Sequence, residues 1–508
     1  MTLGIPGTKR KRNGNDRYAE SPRLRILLTN GRFPVSIDLA RQFYWAGHSV
    51  YCVDPMMYHV CKFSVAVDKS KRVPAPHDDA KGYIEGIKEM AVKWRIDMIV
   101  PVHEEIFFLA NCGEPEILNR LFAPPFELLV RLHHKFEFHK LMKRLDLGVP
   151  EAYLCKSMED VKNLPVDKYK NGLALKPCFG RASSGVHHLK PGEELPDDID
   201  IGEHNHHIAQ EWIKGDRYCS YSVVTLKHGV EATGLYPVLE TIDGSSSVYF
   251  KQQHHERIYN YIETMVRKLP GFDGQIALDF VEDGDRLVVM ECNPRATSGI
   301  HLWTDTPELA RAFTDSLGKD AKRPIEPPKT KLGNQPQAEV TPGMMMWEHE
   351  KATPRVYARH MLRLMKANDV VWKGRDAMPT IAQPFLLTEY YKLCRQKGGM
   401  ELPDLFQMDL LWEPHWNKRD PENCQLARIR KMMNEADERD EKAAQDKGDG
   451  GGDRHDISSQ HIKHDGGRDQ TSLARELEEA KQRIKELEDE NIKLRHDSGV
   501  TMQNGHAH

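Results

Sequence analysis

The residues with the most chemical potential lie between Asp279 and Arg295. Asp279-Phe280-Val281, the turn sequence Glu282-Asp283-Gly284-Asp285 and Leu287-Val288-Val289-Met290-Glu291-Cys292-Asn293-Pro294-Arg295 read as a β-hairpin with acids at matched ends. Glu291 and Asn293 stand two apart, so on a strand they share a face, and Asp279 on the partner strand meets them. Two carboxylates and an amide oxygen form a hard-oxygen set suited to Mg2+, or to Mn2+ in its place, because such an ion keeps its remaining positions for water and phosphate. Arg295, two residues further on that face, adds a rigid fork for phosphate or carboxylate. Without that chemistry, Asp279 and Glu291 are ordinary solvated strand acids and Asn-Pro is a turn.

Upstream, Leu173-Ala174-Leu175-Lys176-Pro177 is an apolar strand that ends on a lysine. Cys178-Phe179-Gly180-Arg181-Ala182-Ser183-Ser184-Gly185-Val186 follows as a flexible loop whose backbone N–H groups, with Lys176, could hold phosphates. The G-x-x-x-x-G-K-[ST] order is absent, so this is no Walker A loop. Gln210-Glu211-Trp212-Ile213-Lys214-Gly215 is an apolar strand running into a turn, able to offer main-chain groups to an adenine edge, or equally a plain end of a core strand.

In this order the pieces resemble the ATP-grasp superfamily, in its carbamoyl-phosphate-synthase-like, carboxylate–amine ligase form, over roughly residues 22–318. The resemblance implies a pre-ATP-grasp parallel-sheet domain followed by a two-lobed ATP-grasp domain. It implies that Lys135 contacts the α-phosphate of ATP, that Lys176 reaches the α/β-phosphates, and that the loop from Phe179 through Gly180, Arg181, Ser183, Ser184 and Gly185 to Val186 covers them. Glu211, Trp212 and Ile213 become the adenine hinge; Asp279, Glu291 and Asn293 the magnesium ligands; Arg295, with Lys176, the catalytic cation that steadies the γ-phosphoryl group. Asp216 stands just after the hinge glycine, where the family usually has a glutamate for the ribose. The loop lacks the consecutive glycines of the carboxylases, and no second ATP region, amidotransferase domain or biotin-carrier motif is present, which disfavours bicarbonate chemistry. The implied reaction is ATP-dependent coupling of a small-molecule carboxylate to an amine. The alternatives are a catalytically idle nucleotide-binding scaffold and a phosphotransferase that stops at a phosphorylated product.

The elements that must position these residues follow from hydrophobic pattern. Leu24–Leu28, Ser49–Val53 and Asp97–Val102 read as buried strands separated by amphipathic helices at Val35–Ala46 and Tyr83–Trp94, which is β-α-β alternation and a parallel sheet. Ligands of such sheets bind at the carboxyl ends of the strands, which puts Asn30, Arg32, His103, Glu104 and Glu105 on one rim, facing the cleft or capping the next helix. Leu128–Leu145 reads as one helix ended by Gly148-Val149-Pro150. The next strands, at Leu173–Pro177, Ile208–Ile213, Tyr221–Leu226, Ile276–Phe280 and Arg286–Glu291, have few helices between them and form a mixed α+β region.

The division expected for the 508 residues is a basic tail over 1–21, an α/β domain over 22–125, the ATP-grasp domain over 126–318, an accessory region over 319–433, a disordered Gly-rich linker over 434–470 and a short coiled coil over 471–497. In the last, Leu473, Leu477, Ala480, Ile484, Leu487, Asn491 and Leu494 step by fours and threes, with Asn491 at an a position favouring a parallel two-stranded coil and hence a homodimer. Lys plus Arg at 72 against Asp plus Glu at 76 is too balanced for a surface that coats nucleic acid. No stretch has the length of a membrane span, the N-terminus has no apolar signal core, and the nine cysteines contain no C-x-x-C pair. A cytoplasmic protein with buried thiols is expected. The histidine pairs offer no recurring ligand spacing, so no histidine metal site is expected.

Overall fold

The computed structural model describes residues 22–448 apart from 181–184, 197–198, 243–245, 270, 315–316, 318–321, 323, 346–352 and 415–424. The basic tail and the heptad seam lie outside the described residues, as do Arg181, Ser183 and Ser184.

Ile26, Leu27 and Leu28 are fully buried, and their alternation decides the first layer. Ile26 and Leu28 join the core under helix Pro34–Trp45, while Leu27 faces Tyr83, Ile87 and Met90 of helix Ala80–Lys93. A strand buried on both faces belongs to a parallel sheet. That sheet comprises β1 (Arg25–Leu28), β2 (Ser49–Asp54), β3 (Val67–Arg72) and β4 (Met98–Val100), in the order β3-β2-β1-β4 and parallel throughout. The sequence reading had no strand at β3, because Val67-Asp68-Lys69-Ser70-Lys71-Arg72 is charged and largely exposed, which is how an edge strand avoids pairing with another chain.

The second sheet holds β5 (Ala152–Cys155), β6 (Leu173–Pro177), β7 (His187–Leu189) and β8 (His207–Glu211), ordered β5-β8-β6-β7 and antiparallel. Leu173 and Leu175 point into its core, so Ala174 and Lys176 must point the other way. The third sheet is built from β9 (Asp216–Thr225) and β10 (Gly229–Pro237) and, after the small hairpin β11 (Thr241–Ile242) and β12 (Ser246–Ser247) and strand β13 (Tyr249–Lys251), from β14 (Gly274–Asp283) and β15 (Arg286–Asn293). Its order is β10-β9-β14-β15, antiparallel, with helix Glu256–Lys268 packed through Ile258, Ile262 and Met265 on Ile276, Leu278 and Phe280. β13 pairs with β16 (Gln337–Glu339), which pairs with β17 (Asn368–Asp369).

Three expectations are corrected. The helix expected over Leu128–Leu145 is two, Phe126–His133 and Lys135–Arg144, broken where His134 takes an extended conformation and its Nδ1 accepts the Glu137 N–H as an N-cap. Residues 434–448, expected in a disordered linker, belong to helix Gln425–Gly448. Its exposed face is charged, but Ile429, Met433 and Ala436 are buried, and Asp437 and Asp440 pair with Arg131, Lys140 and Arg144. Local composition gave no sign of that partner surface.

The third correction concerns the rim of the first sheet. In the order β3-β2-β1-β4 the crevice lies between β1 and β4, where the connections diverge. Residues of the accessory region fill it. Arg32 is 1% exposed and is clamped between Asp54 and Asp409, and Glu104 accepts the Trp412 N–H at 3.1 Å. Glu105 accepts from Thr29 Oγ1 and from the N–H groups of Val102 and His103, the helix-capping role that was its alternative. The described residues up to Asp440 accordingly form one compact unit. Among the described residues no helix is long and apolar enough to cross a membrane.

Candidate active site between the second and third sheets

β14 and β15 are joined by a two-residue turn, Gly284-Asp285, with Gly284 at φ +57°. The register that results sets Asp279 directly opposite Glu291, and a bulge just after Asp279 leaves Met290 without a cross-strand partner. Two carboxylates directly opposed on one face repel unless something intervenes. Here burial, and then Glu291, push the Asp279 carboxyl well up from its ordinary value. Glu291 moves the other way: burial is outweighed by Lys135, Lys176 and the hydrogen bond from Asp279, which hold it well below the usual carboxylate range. The pair therefore shares one proton when nothing else neutralises it.

The cations come from two other elements. Lys135 opens helix Lys135–Arg144, an electrostatically unfavourable place for a cation, and puts Nζ 3.5 Å from Glu291 Oε2 while also donating to the Gly180 carbonyl. Lys176, on the outward face of β6, donates to Gln210 Oε1 at 3.0 Å, and burial holds its ammonium below its ordinary pKa. These four side chains line a cleft of about 600 Å3 between the sheets. Its remaining wall is largely apolar, with Ala174, Val186, Ile213, Phe280 and Met290. One end thus suits polyphosphate and a divalent cation, the other a flat apolar ring.

Of the residues singled out in the sequence, Lys135, Lys176, Gly180, Val186, Glu211, Trp212, Ile213, Asp279 and Glu291 line this cleft. Glu211 is held by a two-pronged ion pair from Arg286 at 2.8 and 2.6 Å, and Trp212 stacks on His188 with centroids 3.7 Å apart. Phe179, Gly185, Asp216, Asn293 and Arg295 do not line it. Phe179 packs against His134 and Trp412, and Asp216 borders a neighbouring pocket with Lys251 and Gln253. Asn293 pairs with Ala277 beyond the acid pair. Arg295 has a buried Nε with no hydrogen-bond partner, so part of its fork is uncommitted. The sequence reading assigned no role to Arg217, Tyr218 and Cys219, which enter because β9 lies against β14 with Cys219 opposite Asp279. A pairing so distant along the chain leaves no local signal. Gly215 does have a physical signature: a Cβ there would fall 2.1 Å from the Glu282 carbonyl, so only glycine lets the hinge pass so close to β14.

The acid pair fits a magnesium ion by its donor chemistry, since a cation would remove the need for the shared proton. Among the described residues no three His, Cys, Asp or Glu side chains come together as a metal-binding group.

Residues 132–299 match the family model of the ATP-grasp domain. The chain carries an ATP-grasp domain. The matched span contains every residue that lines the cleft. Solved structures similar to the chain include an ADP complex of an N5-carboxyaminoimidazole ribonucleotide synthetase (15% identity, 58% of this chain and 78% of that one, TM-score 0.47). Others are an L-amino acid ligase from Bacillus licheniformis (16%, 60% and 76%, TM-score 0.47) and a biotin carboxylase from Campylobacter jejuni (15%, 59% and 72%, TM-score 0.47). Likeness at this level carries nothing further. No curated protein sequence matches the chain.

Proposed function

We propose that the chain is an ATP-dependent ligase that activates a small-molecule carboxylate as an acyl phosphate and couples it to an amine. The observation that supports this reading is the half-buried Asp279–Glu291 pair facing Lys135 and Lys176 across the cleft of an ATP-grasp domain. An oxygen of the substrate carboxylate attacks the γ-phosphorus, the bond to ADP breaks, and ADP leaves. The amine nitrogen then attacks the acyl carbon, phosphate departs with the acyl–oxygen electron pair, and the nitrogen loses a proton to give the amide.

No side chain forms a covalent bond in this scheme, so catalysis is positioning and charge complementarity. Lys135 and Lys176 orient the phosphates and meet the charge on the transferring group, the role expected of Arg295, which lies outside the cleft. Asp279 and Glu291, with Asn293 next along the strand, would hold Mg2+ or Mn2+, which supplies charge neutralisation to the phosphates when bound. The apolar wall around Ile213 and Met290 takes the flat ring of the base.

A panel of acids and amines, offered with ATP and magnesium and read by mass spectrometry together with phosphate release, tests the reading. A ligase releases phosphate only when both partners are present. A phosphorylated product that persists without an amine, or no turnover with any pair, would count against it.

A further inference from the structure

Helix Gln425–Gly448 touches both structures that bring charge to the phosphate end of the cleft. Through its middle it is bound to the helix that carries Lys135, where Asp437 pairs with Lys140 and, at 3.0 Å, with Arg144, and Asp440 pairs with Arg144; Asp440 also accepts from Arg131 of the preceding helix at 2.6 Å. Nearer its start Arg430 grips the loop before β8, donating to Glu203 Oε2 at 2.8 Å, to the Glu203 carbonyl and to His206 Nε2 at 2.9 Å. Burial and the Arg430 charge both disfavour protonation of His206, which keeps that nitrogen an acceptor.

From His206 the connection is short. Its carbonyl accepts the Cys178 N–H at 2.9 Å, and the Cys178 carbonyl accepts the Lys135 N–H at 3.0 Å. Lys135 closes the circuit by donating from Nζ to Gly180. Phe179, between Cys178 and Gly180, is wedged against His134 and Trp412 in the apolar cluster that contains Ile429 and Met433. The same helix is therefore fastened to Lys135's helix through its acids and to the Cys178–Gly180 turn through Arg430 and its apolar face.

We infer that helix Gln425–Gly448 is a positioning strap for ATP, with Arg430 as a positioning residue that fixes the Cys178–Gly180 turn against Lys135 and so sets affinity for the phosphate end of the nucleotide. The inference rests on the nucleotide reading of the cleft. It makes a claim that stability alone does not: the strap acts on phosphates and leaves base and ribose untouched. A residue coupled to a site through such contacts typically changes affinity by on the order of 2–30-fold.

The test titrates the full-length chain with ATP, and separately with adenosine, by calorimetry in the presence of magnesium. Arg430→Ala is expected to weaken ATP binding several-fold and leave adenosine binding unchanged. Arg439→Ala, which breaks only the exposed pair with Glu127 on the same helix, is expected to change neither. If Arg430→Ala proves too unstable to titrate, Arg430→Lys retains a cation but loses the fork and is expected to show a smaller ATP-specific loss. Equal ATP affinity in wild type and variant, or equal losses for ATP and adenosine, would overturn the strap. A wild-type chain that bound no ATP would bring down the ligase reading itself, and the strap with it.

Discussion

At the scale of single residues, the cleft is defined by an arrangement that costs stability. Two carboxylates set opposite each other under cover repel, and the fold tolerates them because two lysines stand close by and one proton is shared. Such local strain is informative, because nothing in the packing of β14 on β15 calls for acids at those positions. Asp279→Asn keeps the shape and removes the repulsion. Without metal it is therefore expected to melt at or above the wild-type temperature, while its turnover falls about 100- to 1000-fold, the scale of losing one electrostatic contact to a transition state. Glu291→Gln is expected to lose turnover similarly, read as phosphate release under the conditions that support wild-type activity. A variant that kept wild-type turnover would remove the carboxylates from the mechanism. The hairpin itself was legible in the sequence because it is local, but regular counting back across Gly284-Asp285 from Glu291 reaches Leu278, and it is the bulge at Met290, which leaves no mark in the spacing, that brings Asp279 opposite Glu291. The roles expected of Phe179 and Asp216 were less legible, because a loop residue's direction depends on what packs over it, and here that is Trp412 for Phe179.

At the scale of elements, the break at His134 shows how an interruption of helix periodicity can serve the site. The sequence carries a continuous helical pattern from Leu128 to Leu145, yet the chain stops and restarts at a histidine that caps the second helix, and Lys135 becomes its first residue. Had the helix continued, Lys135 would lie mid-helix with its N–H bonded within the helix and unable to reach Cys178. The same histidine is a source of acid sensitivity. Burial, followed by His133, His206, Lys135 and Lys140, lowers its pKa to about 3. A histidine held neutral in the folded state but titrating at about 6.5 when unfolded makes the unfolded chain the better proton binder between those values. Its contribution is complete above pH about 6.5 and is lost as pH falls from there toward 3. His134→Asn retains an N-cap acceptor and removes the titration. Urea-unfolding free energies measured from pH 7 to pH 4 should decline less steeply in this variant than in the wild type, and parallel profiles would show that His134 does not carry the dependence.

At the scale of the whole molecule, the accessory region completes the first sheet instead of standing apart from it. Arg32 reaches an acid 377 positions away, and Arg41 reaches one 335 away, distances at which neither periodicity nor spacing leaves a trace in the sequence. That the sheet is parallel was legible from alternating apolar runs and helices, whereas its charged edge strand β3, the order of its strands and the closure of its crevice were not, because they depend on tertiary contacts. That closure buries Arg32 and Glu104 of the rim against Asp409 and Trp412. Arg41 gives the sharpest test of how the pieces hold together. It is 1% exposed, and its guanidinium donates to Asp376 Oδ2 and to the carbonyls of Val370, Val371 and Asp376, while Asp376 also accepts from Ser64 Oγ and the Val65 N–H. Asp376→Ala leaves a buried cation without its counter-charge and should cost about 3–5 kcal/mol in urea unfolding. The paired change Arg41→Leu with Asp376→Leu removes both charges together and should cost clearly less, since the large term in the single variant is the stranded charge. ATP affinity of the folded fraction should stay at the wild-type value in both, because no atom of this cluster lines the cleft. A single variant no less stable than the double would mean that Arg41 finds water or another acid on losing Asp376, and that this ion pair contributes nothing to joining the first sheet and the accessory region.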